Sequence, residues 1–222
     1  MRDNVGLLLG LFVTIMFSAR ISGSHFNPCI TFSYMIGNVK HGNFDRILGI
    51  LYIFAQFIGA MIGVIFGLIF SNGKTKGIEL HVEAGDGLKQ ILVEVMGSFF
   101  LVFMYLCSTD EKTKFTKDAA IQTIILAGSQ LGAMLLAGTL IENLHLSPVN
   151  PAISFAIIFL NSFRGDSSSA TNWQTSYCFF AASFGGSALA LIFFRFVYKK
   201  TTEQIEQMDD EEDENNEEAL MG

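Results

Sequence analysis

An all-α integral membrane helical bundle, with five full spans and two re-entrant half-helices, is the fold class this chain predicts. Three observations carry that expectation. In a chain of 222 residues, 50% hydrophobic with 22 Phe, the apolar residues gather in runs of roughly twenty, the length that crosses about 30 Å of hydrocarbon. Two shorter apolar stretches, each about ten residues or about 15 Å of helix, sit between spans and open on an Asn-Pro pair. The two stretches also read almost alike: Phe26-Asn27-Pro28-Cys29-Ile30-Thr31-Phe32, closing on Asn38, and Val149-Asn150-Pro151-Ala152-Ile153-Ser154-Phe155, closing on Asn161.

Taken in order, the N-terminal Met-Arg-Asp-Asn leads straight into the first span, Val5–Ala19, without a small-residue cleavage site. It therefore reads as a retained span rather than a cleaved leader. The first half-helix follows from Asn27, a good capping residue, with Pro28 at the first helical position, where its missing N–H costs nothing. The second span, Ile47–Phe70, carries Gly59, Gly63 and Gly67 at intervals of four, a small-residue face of the kind that lets helix backbones approach. The third span is Ile91–Cys107 and the fourth Ala119–Ile141, the latter with Gly128 and Gly132. The second half-helix starts at Asn150, and the fifth span, Trp173–Tyr198, holds Gly185 and Gly186. Short hydrophobic segments at corresponding places in two halves point to a site at the bilayer midplane.

The net charge of −7 comes from the last stretch. Residues 201–222 contain ten acids and no base, a composition expected to be disordered. Elsewhere the bases near the span ends divide unequally. Nine of them, Arg20, Lys40, Arg46, Lys112, Lys114, Lys117, Arg195, Lys199 and Lys200, fall on one side, and five, Arg2, Lys74, Lys76, Lys89 and Arg164, on the other. The positive-inside rule then places the first half-helix loop and the acidic tail in the cytoplasm. The second half-helix enters from outside, as an inverted repeat requires. Cys29, Cys107 and Cys178 stand singly in apolar sequence and give neither a disulfide framework nor metal spacing. His41, His81 and His145 are scattered through loops. No cofactor, metal or nucleic-acid partner is expected.

The run Ser22-Gly23-Ser24-His25-Phe26-Asn27-Pro28-Cys29-Ile30-Thr31, taken with the second box, resembles the major intrinsic proteins, the aquaporins and aquaglyceroporins. The resemblance covers residues 5–198 and implies an aquaporin-like inverted repeat over residues 1–200, with 201–222 as a cytoplasmic tail. It also implies a homotetramer with one pore per subunit. Glu94, in Val93-Glu94-Val95-Met96-Gly97, looks like the family's buried glutamate that steadies the second re-entrant loop. His25 would hold the first loop by a hydrogen bond. The family has six spans, and this chain begins where the second would be, so an N-terminal truncation is expected in preference to a five-span variant.

In such a channel each Asn carbonyl would cap its own half-helix while its amide NH₂ donates to the passing solute. Asn27, Pro28, Cys29, Asn150, Pro151 and Ala152 are the residues expected at that centre. Two facing helix N-termini, each near +0.5 elementary charge, would repel cations. The residue after the second box is usually Arg in the family; here it is Ile153. Counted in register, the other filter positions are Leu7, Gly138 and Ser147. That ring lacks the usual bulky aromatic, the His and the fixed cation, so it is expected to be wider and more apolar. It favours water together with glycerol, urea and similar neutral solutes, although Ser154 stands where glycerol facilitators tend to carry Asp. A passive channel makes and breaks no bond, so no enzyme is expected. The alternative is a non-conducting or modulatory five-span paralogue that works within a hetero-oligomer. An ion-coupled carrier is disfavoured because Glu94 is the one ionisable residue well inside a span.

Overall fold

A computed structural model describes residues 2–37, 45–70, 80, 86–139, 147–163 and 173–221. Asn38, His41, His81 and His145, and the bases Lys40, Lys74, Lys76 and Arg164, lie outside the described residues. Among those described the chain is helical, without strands. The five spans are α1 (Arg2–Ser22), α3 (Arg46–Phe70), α4 (Gly87–Thr109), α5 (Ala119–Thr139) and α7 (Tyr177–Phe193). The half-helices are α2 (Pro28–Gly37) and α6 (Pro151–Phe163). Both start on the proline, one residue after the capping Asn, where their sequences place them. α7 is shorter than expected at its start, because Trp173 precedes a turn at residues 175–176.

The core forms around α4. It pairs most extensively with α7, and next with α5. α4 and α7 run parallel: Cys178 lies beside the Gly87 carbonyl at one end (Sγ 3.8 Å) and Lys199 reaches Asp110 at the other (2.6 Å). Leu101, Val102, Leu106, Phe179 and Phe194 are among the fully buried side chains packed in this region. α1 and α3 differ sharply. More than half (56%) of the apolar window of α4 is buried, against none (0%) of that in α3, where only Gly49 is buried.

That contrast corrects the expectation for the glycines. A Cβ built on Gly59, Gly63 or Gly67 would meet nothing within 4 Å, and the same is true of Gly128 and Gly185. Gly132 meets only the Phe100 ring, at 3.5 Å. Gly186 makes the close approach instead. A Cβ there would run into the Val95 carbonyl, and would stand 2.9 Å from Ser98 Cβ and 3.0 Å from the Phe99 amide nitrogen. A spacing of four identifies a face but not whether a helix lies against it. We expect Gly186→Ala to prise α7 from α4 and to cost about 1–3 kcal/mol. Gly63→Ala should leave the protein as stable or slightly more so, since Ala is the better helix former. Thermal unfolding of the two purified variants in detergent separates these outcomes.

The acidic tail is also corrected. Residues 201–221, expected to be disordered, belong to a helix, α8 (Lys199–Met221). It grows from α7 through one π-helical segment, Phe194–Tyr198, so no new helix has to be nucleated. Its Glu, Gln and Met residues are good helix formers. Two ion pairs tie its start to the α4–α5 connection: Lys199 Nζ to Asp110 Oδ2 at 2.6 Å and Lys112 Nζ to Glu203 Oε1 at 2.8 Å. The hydrogen bond to Glu203 holds the Lys112 ammonium above its ordinary pKa. The Lys112 pair is exposed and therefore sensitive to salt.

Candidate functional site

The two half-helices start at one point and leave it in opposite directions. α2 runs toward the end of the bundle that carries α8, where the Tyr34 hydroxyl bonds Thr109 Oγ1 at the close of α4. α6 runs the other way, and Ser162 near its end accepts from the Trp173 indole at 2.5 Å. At the shared point each Asn side-chain oxygen caps its own helix: Asn27 Oδ1 accepts from the Cys29 amide at 2.9 Å, Asn150 Oδ1 from the Ala152 amide at 3.0 Å. The backbone carbonyls of the same two residues take the first helical bonds, from the Thr31 amide at 3.1 Å and the Ser154 amide at 3.0 Å. Pro28 and Pro151, at the first helical positions, are buried.

The side-chain amides then cross. Asn27 Nδ2 donates to the carbonyl of Val149 at 2.8 Å, and Asn150 Nδ2 donates to the carbonyl of Phe26 at 2.9 Å. Each box therefore holds the residue that precedes the Asn of the other. Those residues have unusual backbones, Phe26 at φ 45° and Val149 at φ 48°. Left-handed backbone in a bulky or β-branched residue costs about 1–3 kcal/mol, and here it accompanies a carbonyl that meets the opposite amide. Each NH₂ spends one proton on this clamp and retains a second. Asn150 lines a central cavity of about 520 Å³ together with Ala152 and Ile153. Asn27, 1% exposed, is not among its lining residues.

Each loop has its own support. Glu94, fully buried on α4, accepts from the Ser147 hydroxyl and from Gln90 Nε2 at 3.3 Å, while Ser183 Oγ of α7 lies 3.1 Å from its second oxygen. The first loop is held without a carboxylate. Ser24 donates to the Ile15 carbonyl at 2.9 Å, Tyr105 of α4 donates to the Gly23 carbonyl, and His25 Nδ1 stands 3.3 Å from Thr31 Oγ1. Ser187 of α7 reaches the carbonyl of Cys29 at 2.7 Å.

Ile153 faces the central cavity, and neither Leu7, Gly138 nor Ser147 lines it. Ser147 is fully buried with its hydroxyl turned to Glu94, Gly138 is buried near the end of α5, and Leu7 is half-buried on α1. A second, larger cavity of about 1010 Å³ opens toward the α8 end, between Arg20, Tyr52, Thr109 and Gln122. Among the described residues no group of three His, Cys, Asp or Glu side chains could hold a metal, and all three cysteines are free and buried.

Sequence reasoning missed Phe26, Val149, Ser24 and Tyr105. One signal was present: Ser24 and Ser147 each stand three residues before the Asn of their box, and both hydroxyls brace a loop.

The family profile described as Major intrinsic protein matches residues 4–198. Aquaporin TIP1-1 of Arabidopsis thaliana is 31% identical over 201 residues, covering 88% of this chain and 71% of that protein. A probable aquaporin TIP1-2 of Oryza sativa subsp. japonica is 27% identical over 192 residues, 86% of this chain and 68% of its own. A probable aquaporin PIP2-5 of Arabidopsis thaliana is 25% identical over 198 residues, 85% of this chain and 63% of that one.

Proposed function

The chain belongs to the major intrinsic protein family, and from that premise we propose how it conducts. Members of the family are channels, so this is a multi-pass membrane protein that forms a transmembrane path for water and is not an enzyme. The finer reading is that the solute passes the Asn150 amide beside the crossed clamp and accepts a hydrogen bond from the proton the clamp does not use, while Asn27 holds the Val149 carbonyl behind it. The single observation that supports it most is the reciprocal pair of bonds, Asn27 to Val149 and Asn150 to Phe26, at 2.8 and 2.9 Å. Only an arrangement with both half-helix N-termini at one point makes both bonds together. Their combined positive ends disfavour cations there, while neutral solutes replace lost hydration with amide donors.

Ile153 in place of a fixed cation makes the outer path apolar, so glycerol and urea are proposed to pass beside water. The tail is proposed to be cytoplasmic, from the distribution of bases, and the assembly to be a homotetramer, from the family. Stopped-flow swelling of proteoliposomes under water, glycerol and urea gradients tests the reading. All three fluxes should exceed those of protein-free vesicles and scale with protein. Ile153→Arg should lower glycerol and urea flux several-fold more than water flux. Equal loss of all three, or none, removes Ile153 from the constriction.

A second reading, a modulatory subunit of a hetero-oligomer, draws on the bare surface of α3. It predicts lipid-background flux from the chain alone and altered flux when a conducting relative is reconstituted with it.

A further inference from the structure

The end of the fifth span presents apolar side chains outward. Ile192, Phe193, Phe196 and Val197 are exposed on the bundle surface, Phe196 by 63%, and in a membrane such side chains face lipid. Arg195 is exposed in the same run, and Lys200 is exposed one turn further on. The segment between them, Phe194–Tyr198, is π-helical. A π turn closes on the fifth residue, as the Lys199 amide does on the Phe194 carbonyl, and five is also the interval from Arg195 to Lys200. Lys200 Nζ lies 5.7 Å from the centroid of the Phe196 ring, so the ammonium comes back to the aromatic that follows Arg195 in the chain.

Neither cation is matched by an acid. The ion pairs among the described residues engage Lys112, Lys114 and Lys199. Lys199 turns to Asp110 at 2.6 Å, and Glu203, three residues after Lys200, is held by Lys112. The helical neighbours of Arg195, three and four residues away, are Leu191, Ile192, Tyr198 and Lys199, none of them acidic. A guanidinium at the edge of the hydrocarbon is unfavourable without a counter-ion. Its stem can lie along the apolar surface while its head reaches the polar layer. There its planar fork matches two oxygens of a phosphate.

We propose that Arg195 and Lys200, beside the Phe196 ring, form a binding site for the headgroup phosphate of an anionic phospholipid at the junction of α7 and α8. Ten acids follow within residues 201–222, and an anionic leaflet repels every one of them. Attraction on this part of the chain is therefore confined to the junction. The site does not depend on conduction.

Native mass spectrometry of the full purified chain, titrated with phosphatidylglycerol or with phosphatidylcholine, reads the dissociation constant of each lipid. Wild type should bind phosphatidylglycerol several-fold the more tightly. A cation near an anionic surface is worth about fivefold in affinity, so Arg195→Gln should weaken phosphatidylglycerol by about fivefold and Arg195→Gln/Lys200→Gln by about twentyfold. Phosphatidylcholine should be unaffected. Arg195→Lys, which keeps the charge and loses the fork, should fall between wild type and Arg195→Gln. Lys89→Gln, an exposed base at the opposite end of the bundle, should keep wild-type affinity, and matching size-exclusion profiles establish that the variants fold. Equal affinity of wild type for the two lipids, a preference that survives in the double variant, or an equal loss in Lys89→Gln overturns the site. Inorganic phosphate that raises the thermal midpoint of wild type as far as phosphatidylglycerol does, and not that of the double variant, assigns these residues to a free anion and overturns the lipid.

Discussion

Asn150→Ala is expected to abolish protein-dependent water flux and to destabilise the bundle by about 2–4 kcal/mol. The figure follows from what one side chain does. Loss of the cap on the Ala152 amide is worth about 1 kcal/mol, and the Phe26 carbonyl, deprived of its amide donor, adds about 1–3 kcal/mol. With Phe26 no longer held at φ 45°, its loop has reason to relax toward ordinary backbone, which moves the carbonyl away from the path. Asn150→Asp separates the two roles, because a carboxylate can still cap Ala152 but cannot donate to Phe26. It should retain helix α6 and still lose conduction. Thermal unfolding and stopped-flow shrinkage of the same preparations check both parts. Wild-type flux in Asn150→Ala would show that the amide is a cap and nothing more.

The largest purely structural effect should come from Glu94. It is buried in the best-packed part of the molecule, and Ser147, Gln90 and Ser183 converge on it from the loop, its own helix and α7. Glu94→Ala leaves a cavity and strands polar groups, a combination expected to cost about 3–5 kcal/mol. At about 2–4 °C per kcal/mol for a chain of this size, the thermal midpoint should drop by about 6 °C or more. Glu94→Gln preserves the volume and one acceptor oxygen, so it should fall between wild type and Ala. Ser147→Ala removes one strut and should cost less than either. If Glu94→Ala unfolds within about 2 °C of wild type, the carboxylate does not brace the second loop.

The spans were legible because hydrocarbon thickness sets their length, and apolar runs such as Ile47–Phe70 have little other use. The half-helix starts were legible because Asn followed by Pro satisfies the first turn of a helix locally, without reference to the fold. The crossed clamp was not. It depends on the carbonyls of Phe26 and Val149, which every residue possesses, and on positive φ at two bulky residues that local preference would place elsewhere. The glycine stripe, which has no partner among the described residues, shows a related limit. Gly59, Gly63 and Gly67 have the spacing of a packed face, but packing is a property of two surfaces and the sequence displays one. Ser147 shows the same limit in the site: its hydroxyl bond to Glu94 depends on α4 lying beside the loop, which position in register does not display. The acidic tail was misjudged because composition was weighed without its covalent continuity with α7, which supplies a ready-made helical end to extend.

A double-mutant cycle on Asn27→Ala and Asn150→Ala, read as unfolding free energy of the purified chain, bears most directly on the claim that two half-helices close on one another. If they form a single junction, either substitution opens it, and the double variant should lose less than the sum of the two singles, with a coupling of about 1 kcal/mol or more. Losses that simply add would mean two independent caps with no shared centre, and the conduction account built on that centre would fall.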